Sequence, residues 1–103
     1  MNPGRRLASE GLQAVLTLAA SSQKLQRQAA QQQQPVVDAI LRTRSCDTER
    51  IEHTLDRLLD FCGDETVLQM YKALCRHYWD IDPAATAYYV NAYREYWDQG
   101  ELQ

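Results

Sequence analysis

Few residues in this chain have the types or spacing to do chemistry: two histidines, three cysteines, and the carboxylates that follow position 46. Glu49 and His53 stand four apart, which places both on one face of a helix, as a pair of metal ligands would need. Helices that hold di-iron centres carry Glu-x-x-His instead, and that motif is absent. Nothing else in the sequence supplies the remaining ligands, so no metal is expected. Glu49, Glu52, Asp56 and Asp60, with His53, read as a solvated acidic face opposite a leucine stripe; a docking face for a basic partner is the alternative.

His77 falls at the edge of its helix's apolar face, next to Tyr78. A general base must lie within hydrogen-bond reach of the group it deprotonates. The sequence has no G-x-S-x-G and no glycine-rich phosphate loop, so neither an activated nucleophile nor a nucleotide site is indicated. A histidine donating to a carbonyl or to water is the expectation here. The chain reads as non-catalytic, with no cofactor and no small-molecule substrate.

Cys46, Cys62 and Cys75 make an odd count without CxxC spacing, which suits a reducing cytoplasm better than a disulfide framework. Cys62 and Cys75 fall on apolar helical faces and are expected to be buried. Cys46 falls in a loop, as an inert exposed thiol or a reactive one. Arg5 and Arg6 ahead of the apolar run Leu12–Ala20 outline a twin-arginine export signal. Glu10 and Gly11 interrupt it, however, and the run is short, so a cytoplasmic location is expected. No stretch approaches the roughly 20 apolar residues that a membrane span needs.

The elements that position these residues are helical. Between Leu12 and Gln34 there is neither Gly nor Pro, and Ala, Leu, Gln, Lys and Arg dominate, all good helix formers. Leu12, Val15, Leu16, Ala19 and Leu25 recur at helical spacing. The stretch 23–34 holds seven glutamines and few apolar anchors, as a solvated helix end or a disordered segment would. Pro35 predicts a separate short helix over 35–44, because a proline at the first helical position loses no hydrogen bond. Asp47 or Thr48 caps the next helix, expected to run to Cys62 and stop at Gly63; Asp64 caps a helix to Trp79. Asp82-Pro83 starts the last, ending near Gly100.

No alternating strand pattern occurs. The expected fold is therefore all-α, one domain over 1–103. It is an irregular bundle of four to five helices: a long basic helix over 1–34, frayed at Met1–Leu7, the short 35–44 helix, and a compact acidic three-helix core over 47–100.

Charge and aromaticity divide along the chain. Residues 1–45 hold six basic and two acidic side chains, residues 46–103 five basic and twelve acidic, against a whole-chain net of −3. All nine aromatic residues lie between Phe61 and Trp97, and five crowd the last helix. Its apolar residues, Tyr88, Tyr89, Val90, Tyr93, Tyr96 and Trp97 with Ala85 and Ala92, cover an arc of roughly 200°, against little over 100° for a helix resting on one core. The preceding helix is almost as broad. Either both helices lie between two layers, with tyrosine hydroxyls at the rim, or the last helix has a second contact surface at Tyr88, Tyr89, Tyr93, Tyr96 and Trp97.

The leading functional expectation is a protein–protein interaction module, either a homo-oligomer or a small adaptor. One alternative is an acidic inhibitor or immunity-type protein that masks a basic partner. Another is a nucleic-acid-binding regulator using the basic front. That last class is disfavoured, because Arg5, Arg6, Lys24, Arg27, Arg42 and Arg44 are thinly spread and the pI is about 5.2.

Overall fold

A computed structural model describes residues 3–97, with side chains from Ala20 onward. Four helices follow one another: α1 (Pro3–Thr43), α2 (Thr48–Leu59), α3 (Glu65–Trp79) and α4 (Pro83–Trp97). The described residues contain no strand.

Three aspartates start the last three helices. The N-terminal amides of a helix have no partner within it, and a short carboxylate just outside can accept from them. Asp47 accepts from the Arg50 amide at 3.2 Å, Asp64 from Val67 at 3.1 Å, and Asp82 from Ala85 at 3.0 Å. Pro83 then opens α4, where its missing N–H costs nothing.

Pro35 does not begin a helix. It lies inside α1, which passes through it unbroken, so the separate 35–44 helix expected from the sequence is replaced by the end of a 41-residue one. A proline inside a helix loses one backbone hydrogen bond and crowds the carbonyl four residues earlier. Packing outweighs that cost. Ala29, Gln33, Val37 and Ile40 are all buried and share one face of the helix across the proline. A break at Pro35 would swing Ala29 and Gln33 away from the face that Val37 and Ile40 occupy. Pro35 and Gln31 are both exposed, so the freed carbonyl can turn to water. The glutamine segment is thus helical, with only Ala29 and Gln33 buried along it. The helix begins at Pro3, and Met1 and Asn2 lie outside the described residues. Leu12, Val15, Leu16 and Ala19 belong to α1, but their side chains lie outside the described ones.

α1 ends on a residue no composition rule would choose. Arg44 adopts φ 49°, in the left-handed region that usually takes glycine. The Ser45 amide returns to the Ile40 carbonyl at 3.0 Å and the Arg44 amide to Leu41 at 3.3 Å, the paired closure of a Schellman motif.

α2 stops at Leu59, three residues short of the expected Cys62. The Phe61 amide donates to Leu58 O and the Asp64 amide to Phe61 O, both at 3.0 Å, in tight turns that bring Asp64 into the extended geometry of an N-cap. Gly63 does not use a positive φ. It is there for space: a Cβ would stand 3.1 Å from Cζ3 of Trp97 and 3.2 Å from Nε2 of Gln26.

The core is centred on α3, which packs against each of the other three helices. Ile51, Leu55 and Leu58 of α2 meet Val67, Leu74 and Tyr78 of α3, while Val37 and Ile40 of α1 close the same cluster. Cys62 belongs to it too, within the turn after α2. Farther toward the N-terminus α1 leaves the core. Between Ala20 and Gln28 every side chain but Gln26 is exposed. The longest dimension, 65 Å, is close to the ~60 Å that a 41-residue helix spans at about 1.5 Å per residue.

Candidate protein-binding surface

The five aromatic residues singled out on α4 divide between interior and surface. Tyr89 is buried at 5 % exposure, and its hydroxyl donates to Asp56 Oδ1 at 3.0 Å. Its carbonyl accepts from the Tyr71 hydroxyl at 2.6 Å, so α3 grips the backbone of α4 at the same residue. Tyr93 is half-buried beside Tyr71, with ring centroids 6.1 Å apart. Trp97 reaches back to α2: its Nε1 donates at 2.8 Å to the Leu59 carbonyl, one of those a helix end leaves without an intrahelical donor. Its indole lies over Gly63, which explains why that position tolerates no side chain without adjustment. Tyr88 and Tyr96 point outward, 67 % and 74 % exposed.

The acidic residues of α2 divide in the same way. Glu52 accepts the hydroxyl of the fully buried Tyr78, and Asp56 accepts that of Tyr89. Burial first, and then these carboxylate bonds, push both tyrosines well above the ordinary phenol range, so both hydroxyls stay protonated and donate. Half of the proposed docking face therefore holds α3 and α4 in place, while Glu49, His53 and Asp60 remain exposed. No group of three or more His, Cys, Asp and Glu among the described residues is arranged to hold a metal ion.

His77 Nε2 donates to the Ser45 carbonyl at 2.7 Å and ties the end of α3 to the α1–α2 loop. Cys62 and Cys75 are buried, and desolvation pushes both thiols up to about 12, while Cys46 is exposed; all three are free. Among the described residues no helix is long and apolar enough to cross a membrane.

A concavity lies on the other flank of α4, against α3. It is a groove of about 680 Å³. Leu68 and Trp79 line it from α3, Val90 and Tyr93 from α4, and Lys72, Arg76 and Arg94 stand along it. Trp79 is 54 % exposed and Val90 41 %. Sequence reasoning placed Val90 on the wide apolar arc of the last helix but did not choose it, Leu68 or Trp79 as a site residue, and it missed the three cations. The signal was present in the spacing: Leu68, Lys72, Cys75, Arg76 and Trp79 share one flank of α3, and Thr86, Val90 and Arg94 one flank of α4. That the two flanks face each other depends on how the hairpin packs, which no single helix encodes.

The fold and this surface together define an all-α protein with an aromatic helical hairpin exposed along its last two helices. Comparison with known protein families, characterised proteins and solved structures returns no match.

Proposed function

We propose that this chain is a non-catalytic helical protein–protein interaction module whose contact surface is α4 with the adjoining strip of α3. The supporting observation is that Tyr88, Tyr96, Val90, Trp97 and Trp79 remain exposed on two neighbouring helices, although the core just beneath them is well filled. An aromatic ring buries about 150–250 Å² when covered. Tyr88 and Tyr96 lie on one flank of α4 and Val90 with Trp79 on the other, so the open rings on each flank supply a part of the ~800 Å² per partner that a stable interface uses. Tyr and Trp are also the residues in which interface energy concentrates. Both self-association and capture of another helical protein fall within this reading.

Sedimentation equilibrium of the full chain from micromolar to millimolar concentration, together with titration of amphipathic helical peptides, tests it. Association in either experiment is expected, and Tyr96→Ala or Trp97→Ala should weaken it by about 2 kcal/mol if either is a hot spot. A chain that stays monomeric throughout and takes up no peptide refutes the reading.

A further inference from the structure

We propose that the groove between α3 and α4 receives an amphipathic helix with acidic flanks, supplied by a partner protein rather than by a second copy of this chain. The inference deepens the interaction reading and rests on it. Charge is the first observation. Residues 46–103 contain only five cations against twelve carboxylates, yet three of those five, Lys72, Arg76 and Arg94, line this groove against one carboxylate, Asp80. None of the three side chains is paired with a carboxylate among the described residues. A basic strip on the acidic half of an acidic protein complements an acidic ligand and repels a basic one.

Shape is the second observation. From Leu68 to Trp79 the groove follows α3 for about 16 Å at ~1.5 Å per residue, room for about three turns of a partner helix. Apolar residues from both walls lie along it, as a helix with anchors at i, i+3 or i+4, and i+7 requires.

The chain's own surface argues against a second copy as occupant. Among the described side chains, the one large exposed apolar residue outside α3 and α4 is Leu25, which stands between Lys24 and Arg27, and residues 1–45 as a whole carry six cations against two carboxylates, the wrong charge for this groove. The acidic face of α2 has Glu49, Asp56 and Asp60 exposed but no exposed apolar anchor among them.

The test uses two fluorescent model helices of about 15 residues, near the length at which isolated helices begin to form. Both carry the same leucine anchors; one has glutamate flanks, the other lysine flanks. The glutamate helix should bind the full chain roughly tenfold tighter, three exposed pairs contributing a factor of about two to three apiece. That preference should shrink with added salt. Combining Lys72→Glu, Arg76→Glu and Arg94→Glu should reverse the order of the two peptides. Reversing Lys24, Arg27 and Arg42 on α1 adds the same net charge elsewhere and should leave the order unchanged. Val90→Asp should weaken both peptides more than tenfold, with the helical circular dichroism of every variant serving as the check on folding. Equal binding of the two peptides overturns the inference while leaving the interaction reading intact. So does an α1 reversal that acts as strongly as the groove reversal. Failure of both peptides overturns it too, and self-association of the chain would then still support the broader reading.

Discussion

Tyr88 and Tyr89 are adjacent, chemically identical, and opposite in what their removal should cost. Tyr89→Ala removes a ring that is 5 % exposed, a hydroxyl bonded to Asp56, and the side chain next to the carbonyl that Tyr71 holds. Truncating a buried aromatic residue typically costs about 3–5 kcal/mol. Asp56 is exposed and can turn to water, so the lost hydrogen bond adds only about 1 kcal/mol. Tyr89→Phe isolates that second contribution. Tyr88→Ala removes a ring that is 67 % exposed and meets Tyr89 edge-on at 5.3 Å. An edge-to-face pair is worth about 0.5–1.5 kcal/mol, and exposure places this one at the lower end. Urea unfolding followed by far-ultraviolet circular dichroism separates the cases. With a slope of about 1–3 kcal/mol per molar, Tyr89→Ala should move the midpoint down by one molar or more, and Tyr88→Ala by a few tenths. Equal costs for the two alanines, or a Tyr89→Ala variant as stable as the parent, would show that α4 is not seated through Tyr89 and would remove the basis for calling Tyr88 a surface residue.

Pro35→Ala should stabilise the chain by roughly 1–2 kcal/mol. It restores the donor that α1 lacks and a residue of high helix propensity, offset by about 0.5–1 kcal/mol of extra freedom in the unfolded chain; thermal unfolding reads this as a higher midpoint. The protein should also be sensitive to base. Burial raises Cys62 and Cys75 from an ordinary 9.0 to about 12 and holds Tyr71, Tyr78 and Tyr89 well above their ordinary 10.0. Groups whose folded affinity for protons is raised give a contribution fully present below their unfolded values and lost as pH rises through the folded ones. Helical circular dichroism should therefore hold to about pH 9 and fall cooperatively above it, and a loss confined to acid would contradict this. A thiol reagent at neutral pH should label Cys46 quickly and Cys62 and Cys75 only at the rate of opening; three equally fast thiols would contradict their burial.

Much of the local structure was legible from residue order. Asp47, Asp64 and Asp82-Pro83 marked the starts of α2, α3 and α4 because capping acts within three residues of the chain, and the packed stripe Ile51, Leu55 and Leu58 followed from helical spacing alone. Pro35 misled because its local cost is real, and only the shared burial of Ala29, Gln33, Val37 and Ile40 on the two sides of it overrides that cost. The end of α1 at Arg44 and the role of Gly63 were illegible for a related reason. One is a backbone geometry that the closing bonds impose on an arginine, and the other is a vacancy needed by an indole 34 positions away.

The aromatic wealth of the last helix, its excess width and the division of charge are properties of the sequence itself. Which tyrosine faces inward was decided by tertiary structure, since Tyr89 turns toward Asp56 and Tyr71 while Tyr88 does not. Tertiary structure also gathered Lys72, Arg76 and Arg94 along one groove from two helices. Helical periodicity determines which residues share a face; only the packing of one helix against another determines what that face meets.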